Sequence, residues 1–325
     1  MPELKFAEAI RAAIDAEMTA DENVVVMGEE IGPLGGVFTV TRGLQEKHGE
    51  HRVMDSPISE NALVGWSIGA AVEGMRPIVE IMFSDFVFLA LDQIVNLGAK
   101  VRFMSDGQFS VPLVIRMPGG GGTNHGPQHS QSLETLFAHV PGLVVALPSS
   151  ADDAYWMMRD AVRLDDPVIF LENKNLYFRE SAEVDEQGGP RGFGARVRRA
   201  GADMTVVSAG RMTGACLHAA EQLAGEGIDC EVVDLRYIWP LDTDTIATSL
   251  QKTSRLAIVH EPVEFCGWGA EVAAWAADKQ FDQLDAPIAR LGSLRSPIPY
   301  GTRLEDEVVP TPDRIVDFLR DAAGR

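Results

Sequence analysis

Pro112-Leu113-Val114-Ile115-Arg116-Met117 runs directly into Pro118-Gly119-Gly120-Gly121-Gly122-Thr123-Asn124-His125-Gly126-Pro127-Gln128-His129-Ser130-Gln131-Ser132. The first six residues form a largely apolar run of strand length, and the rest of the stretch is punctuated by glycine and proline. A strand over 112–117 is therefore predicted to open into a backbone-rich loop at its carboxyl end. In α/β sheets that edge is where ligands bind. On either side, strands predicted at 24–27, 78–82, 143–147 and 167–171 alternate with helices at 6–18, 60–73, 89–104, 132–138 and 152–164. The helix at 60–73 begins after Pro57 with Ser59 as its expected N-cap. Such alternation predicts a mostly parallel sheet covered by helices.

Between about 180 and 200 the pattern dissolves. Glu183-Val184-Asp185-Glu186-Gln187-Gly188-Gly189-Pro190 is polar and glycine-rich, as linkers are. A second α/β series comes next, with strands at 204–208, 230–235, 255–260 and 287–291 and helices near 212–225 and 268–280. The expected organisation is one α/β domain over 1–180, a linker over 181–200 and a smaller three-layer α/β domain over 201–325. A chain of 325 residues is long enough for two such cores.

Composition narrows the function classes. The formal charge of −20 repels nucleic acid and anionic membranes, so neither is an expected partner. No apolar run approaches the roughly 20 residues that a membrane-spanning helix needs. The opening Pro2-Glu3-Leu4-Lys5-Phe6 leads straight into a helical pattern, which reads as a cytoplasmic chain. Cys216, Cys230 and Cys266 are widely spaced and odd in number, which fits a reducing compartment and indicates neither a zinc site nor a disulfide framework.

Several residues are candidates for chemistry. Glu60 falls in the first turn of the predicted 60–73 helix, where the helix dipole alone favours an acid by about 0.3–1 kcal/mol. His125 and His129 sit in the glycine-rich loop, and histidines there suit proton transfer near neutral pH. The loop is neither a dinucleotide fingerprint nor a Walker phosphate loop. Phe83-Ser84-Asp85-Phe86 comes after the 78–82 strand, and aromatics at such a place serve a core as readily as a cofactor platform. His260-Glu261, ending a second-domain strand, is equally open.

In combination these segments resemble one family. Gly28-Glu29-Glu30, Gly35-Gly36-Val37-Phe38, Asp55-Ser56-Pro57-Ile58-Ser59-Glu60 and Gly74-Met75-Arg76-Pro77 occur in the order found in the beta chains of pyruvate and branched-chain 2-oxo acid dehydrogenases. So do Asp92-Gln93-Ile94-Val95-Asn96, His129-Ser130-Gln131-Ser132, Phe137-Ala138-His139-Val140-Pro141-Gly142-Leu143 and Asp166-Pro167-Val168-Ile169-Phe170-Leu171-Glu172. In the second domain Glu231-Val232-Val233-Asp234-Leu235-Arg236 and Pro240-Leu241-Asp242 continue the likeness, which spans essentially the whole chain.

The resemblance implies a pyrimidine-binding thiamine-diphosphate domain followed by a transketolase C-terminal domain. It assigns Glu60 to the carboxylate that shares a proton with the cofactor's aminopyrimidine ring. It sets Phe86 against that ring and makes Glu29 an acid behind it that extends proton exchange. His129 would serve acyl transfer to a lipoyl group. The magnesium and diphosphate motif, Gly-Asp-Gly with a later asparagine, has only the poor counterpart Ser105-Asp106-Gly107-Gln108. An alpha chain is therefore implied, holding Mg2+ and sharing thiamine diphosphate within an α2β2 assembly. Potassium is implied at Leu113, Ala161, Leu164 and Asp166.

A lipoyl acyltransferase core is expected to dock on the C-terminal domain, near Glu305-Asp306-Glu307. Gln128-His129 leans towards pyruvate as the 2-oxo acid, while Asn61, Trp66 and His125 depart from the usual pattern and bear on substrate choice. Branched-chain 2-oxo acids or acetoin are alternative substrates. A split transketolase and a non-catalytic docking scaffold are the competing classes. The match over 129–143 counts against the first, and joint retention of Glu60, Phe86 and His129 against the second.

Overall fold

The computed structural model describes residues 1–189 and 192–324; Pro190 and Arg191 of the expected linker, and Arg325, lie outside them. Contacts divide the chain into two units, Met1–Gly119 with Leu136–Gly192, and Gly120–Thr135 with Phe193–Arg325. The division expected from sequence runs in chain order. The contacts add the glycine-rich segment Gly120–Thr135 to the second unit.

In the first unit the strands run in the order Val144–Ala146, Val168–Asn173, Val114–Gly119, Arg76–Glu80, Val24–Gly28, Val53–Asp55, each parallel to its neighbour. Helices cover the sheet, so Val114–Gly119 is buried along its whole length and reads as a nearly continuous apolar run. Helix Phe6–Ala20 packs on helix Ala151–Arg163. Glu17 of the first holds Arg159 and Arg163 of the second at 2.6 and 2.7 Å. Ser150 caps Ala151–Arg163 by accepting the Asp153 N–H.

Two local expectations change. Ser59 does occupy the N-cap position of helix Glu60–Val72, but its backbone (φ −166°, ψ 80°) leaves the side chain without a capping hydrogen bond. The continuous helix expected over 89–104 is instead a 3-10 segment Ser84–Ala90, a π-helical stretch Gln93–Gly98 and a short α-helix Val101–Met104. The wider π turn ends at Gly98, where a Cβ would stand 3.3 Å from Ile68 of helix Glu60–Val72.

The second unit has strands in the order Ala289–Ser293, Leu256–Val263, Met204–Ser208, Cys230–Asp234, Arg196–Arg199, parallel except for the antiparallel edge strand Arg196–Arg199. Helices Arg211–Ala224 and Pro312–Ala322 bury Met212, Cys216, Leu223, Ile315 and Leu319 in one core with Val206 and Val232. Among the helices here that lie outside the predicted elements are Thr243–Thr253 and Pro312–Ala322. Both carry readable start signals: Asp242 and Thr311 cap them, and Pro312 stands in the first turn of the latter.

Beneath the carboxyl edge of the first unit's sheet lies a fully buried ion cluster. Arg116 donates to Glu172 at 2.9 and 2.6 Å and also pairs with Glu80, and the Tyr177 hydroxyl donates to Glu172 at 2.5 Å. The two carboxylates hold the Arg116 guanidinium protonated, its pKa pushed further up against the opposing effect of burial. Burial raises the proton affinity of Glu80, with Arg116 working against it. Arg116→Met should therefore leave two uncompensated buried carboxylates and destabilise the chain by about 3–5 kcal/mol. Urea unfolding of the purified protein measures this; a loss below about 1 kcal/mol, on the order of a surface pair, would refute the assignment.

Candidate active site

The first unit gathers three of the residues singled out in the sequence. Glu60 opens helix Glu60–Val72 and is 5% exposed; Glu29, just past strand Val24–Gly28, is 6% exposed. Glu29 Oε1 is buried without a hydrogen-bond partner. Burial, then the nearby charges of Glu60, Glu30 and Glu80, raise the Glu29 pKa above the ordinary carboxylate value. Phe86 lies half-buried in the segment Ser84–Ala90, which packs on helix Glu60–Val72. Its ring meets Phe83 edge-on at 5.8 Å, and Phe83 in turn meets Phe38 at 5.6 Å. The glycine loop after Val24–Gly28 lies against the ion cluster: a Cβ on Gly36 (φ 77°) would stand 3.0 Å from Glu80 Oε1.

His129 belongs to the second unit, within Gly120–Thr135. It is half-buried and donates its backbone N–H to the Gly126 carbonyl at 3.3 Å. His125 is exposed, with Nδ1 2.8 Å from Thr123 Oγ1. Two carboxylates hold this glycine-rich segment. Glu261 accepts from Gly121 N–H (2.9 Å), Ser132 Oγ (2.8 Å) and Arg211 Nε (2.7 Å). Glu305 accepts from Gly122 N–H (2.6 Å) and Asn124 N–H (3.0 Å). Gly126 (φ 74°) lies so close to Tyr300 that a Cβ would approach its ring to 2.2 Å.

The anchoring roles of Glu261 and Glu305 are not readable from the sequence. A carboxylate far along the chain from a glycine loop carries no local signal of pairing with it. Glu305, expected to face an acyltransferase, is only 3% exposed because it accepts these two amides. Asp306 and Glu307 beside it are exposed.

The positions implied for potassium lie in the first unit. The Leu113 carbonyl accepts from Val168 N–H at 2.8 Å, and the Ala161 carbonyl from Leu164 N–H at 3.2 Å. The Leu164 carbonyl accepts from the Arg76 guanidinium at 3.0 Å, and the Asp166 carboxylate pairs with Arg102 at 2.7 Å. Among the described residues no group of three or more His, Cys, Asp or Glu is arranged to hold a metal ion. Nor is any helix among them long and apolar enough to cross a membrane.

Two α/β units, the first with buried carboxylates at Glu29 and Glu60, match a transketolase-type chain. Residues 2–179 match the transketolase pyrimidine-binding domain, and residues 194–315 the transketolase C-terminal domain. A solved split-gene transketolase, described as an inactive beta4 tetramer, superposes with a TM-score of 0.82 over 99% of each chain at 21% identity, a likeness of fold. The chain is 43% identical to pyruvate dehydrogenase E1 component subunit beta-2, mitochondrial, from Oryza sativa subsp. japonica, over 99% of this chain and 87% of that one. It is 41% identical to 2-oxoisovalerate dehydrogenase subunit beta from Bacillus subtilis, over 99% of each. The chain belongs to the family of E1 beta subunits of 2-oxo acid dehydrogenases, oxidoreductase components that depend on thiamine diphosphate.

One titration in the second unit is directly checkable. Glu134 is 5% exposed with Oε2 unpartnered, and burial followed by the Glu261 charge raises its pKa to about 8. The folded chain thus binds a proton there that the unfolded chain releases near 4.5. Its stabilising contribution is full below that value and is lost as pH rises through about 8. Glu134→Gln should flatten the fall in Tm over this window and raise Tm above pH 8. An unchanged pH profile in the variant would refute the assignment.

Proposed function

We propose that this chain is the beta subunit of a thiamine-diphosphate-dependent 2-oxo acid dehydrogenase acting on pyruvate. The observation that carries the reading is Glu60, buried at a helix start beside Glu29 in a chain 43% identical to a pyruvate dehydrogenase beta subunit. Branched-chain 2-oxo acids and acetoin remain the alternative substrates. The residues fit the cofactor: Glu29 Oε1 is an orphaned buried acceptor, and burial with the neighbouring Glu60 charge favours the protonated form of Glu29. When bound, thiamine diphosphate supplies a nucleophilic carbon and an electron sink for decarboxylation. Glu60 holds and exchanges a proton at the pyrimidine ring nitrogen, and Glu29 keeps that proton within reach. Phe86 orients the ring by its face. His129 handles the proton of acyl transfer to the lipoyl group.

The alpha partner supplies the magnesium site and completes an α2β2 assembly. Ser105-Asp106-Gly107-Gln108 is a turn in which Gly107 N–H donates to the Arg102 carbonyl at 2.9 Å, not a metal cradle. Trp66, exposed on helix Glu60–Val72 with Gly69 open beside it, offers a face for that partner. The lipoyl acyltransferase docks through the second unit, where Asp306 and Glu307 are the exposed acids that remain of the expected triplet. Potassium, if it occupies Leu113, Ala161, Leu164 and Asp166, shares the carbonyls with Val168, Leu164 and Arg76, since each oxygen keeps a second lone pair. A cytoplasmic location suits the three free thiols.

Glu60→Gln in the reconstituted enzyme keeps the shape and the hydrogen bond but cannot exchange the proton. Turnover should fall by roughly 10²–10⁴-fold, with hydrogen–deuterium exchange at the thiazolium carbon slowed in step. His129→Ala should leave that exchange nearly intact while lipoyl acylation falls further than decarboxylation with an artificial acceptor. Wild-type exchange in the glutamine variant would move the activating role to another acid.

Raising KCl at constant ionic strength against NaCl should raise Tm if the potassium reading is right. Equal Tm in the two salts would remove it.

A further inference from the structure

Residues 120–133 form no helix or strand, yet their backbone is tied at several points. The Gly120 N–H donates to the Gln131 carbonyl at 3.0 Å, which closes 120–131 into a loop with joined ends. Along its first arm positive φ recurs at every second residue: Gly120 (75°), Gly122 (90°), Asn124 (59°) and Gly126 (74°). A backbone of alternating hand turns neighbouring N–H groups to one side and makes a concavity that binds an anion.

The anion here is the chain's own. Glu305 Oε1 accepts the Gly122 N–H at 2.6 Å, and its Oε2 accepts the Asn124 N–H at 3.0 Å. A Cβ on Gly121 would stand 3.0 Å from the same Oε1, so the carboxylate lies directly on the backbone. Glu261 secures the neck of the loop, at Gly121 and Ser132. Glu305 secures the arm that leads to His129. Beside it in the chain, the Tyr300 ring covers Gly126. The His129 N–H returns to the Gly126 carbonyl at 3.3 Å, so 126–129 is a turn built on the covered residue.

We propose that Glu305 is a positioning residue for acyl transfer: its carboxylate fills the concavity and, with Tyr300 against Gly126, sets where His129 stands. The inference rests on the reading of His129 as the residue that handles the proton of that transfer. A carboxylate suits the task because it brings two acceptors and no donor. Glutamine would turn an NH2 group towards a backbone N–H. Alanine would leave two amide donors without their acceptor. Proton transfer needs its group within hydrogen-bond reach, so a shift of His129 by about 1 Å is enough to slow it heavily.

In the reconstituted enzyme Glu305→Ala should lower lipoyl acylation by about 10- to 100-fold. Hydrogen–deuterium exchange at the thiazolium carbon and decarboxylation with an artificial acceptor should stay near wild type. Added formate, compared with chloride at equal ionic strength, should restore much of the loss in Glu305→Ala and none in Glu305→Gln, whose side chain still fills the space. In a His129→Ala background Glu305→Ala should cost nothing further, because it acts through His129. Equal losses in both assays, losses that add in the double variant, or no response of Glu305→Ala to formate would each overturn the proposal. If Glu305→Ala fails to assemble, Tyr300→Ala removes an exposed ring instead and must show the same selective loss, without addition to His129→Ala. Normal lipoyl acylation in His129→Ala would sink the underlying reading and this inference with it. A loss in His129→Ala with none in Glu305→Ala would sink this inference alone.

Discussion

Arg116 is the side chain on which the first unit's site edge depends. It sits at the middle of the sheet with no exposure, and Glu80 and Glu172 reach it from the strands on either side. A guanidinium placed there would be prohibitive unless both carboxylates met it with their acceptors aligned. The converse also holds: without Arg116, burial would push Glu80 further towards its protonated form. One strand register satisfies all three, because Glu80 stands opposite Arg116 and Glu172 opposite Pro118. A slip by one residue would turn every charge to the other face. The cluster thereby fixes where strands Arg76–Glu80, Val114–Gly119 and Val168–Asn173 end, and the site elements grow from those ends.

The consequences reach the candidate chemistry through packing. Gly36 rests against Glu80, so the loop carrying Glu29 has a fixed floor. Glu29 in turn feels Glu60 and Glu80 as like charges, after burial itself. A buried acidic setting of this kind favours the protonated form of Glu29. The second unit solves a related problem differently. Its glycine-rich segment has few side chains to pack, so backbone N–H groups provide the grip, and Glu261 and Glu305 accept them. Such charge-assisted bonds are stronger than neutral ones and hold a loop without a core.

The parallel architecture is legible in the sequence because buried strands such as 112–117 and 204–208 are apolar runs bounded by turn signals. Helix Glu60–Val72 is legible from Pro57 and from Ser59 at its N-cap position, although Ser59 makes no capping hydrogen bond. The 89–104 region reads as one helix because good helix formers such as Leu89, Ala90, Leu91, Gln93, Leu97, Ala99, Lys100 and Arg102 recur along it. Only the close approach of Gly98 to Ile68 shows why the winding must change. Helices Thr243–Thr253 and Pro312–Ala322 announce themselves by their caps, Asp242 and Thr311, rather than by long apolar runs. A reading that weighs apolar runs above start signals passes over both.

The site is legible in a different way. No local pattern distinguishes Glu60 from an acid that merely suits a helix dipole; only the resemblance, carried by the order of motifs along the whole chain, singles it out. What order cannot supply is the partners of each group. Glu305 reads as surface acid from its neighbours Asp306 and Glu307, yet it is turned inward by amides far earlier in the chain, at Gly122 and Asn124. Hydrogen bonds across such separations depend on how the chain folds back, and that is decided by the cores, not by the segments themselves. The same reasoning explains why Glu29 can be buried with an oxygen unpartnered. A carboxyl oxygen orphaned by burial is a cost that the folded chain carries, offset by the packing that the cores impose.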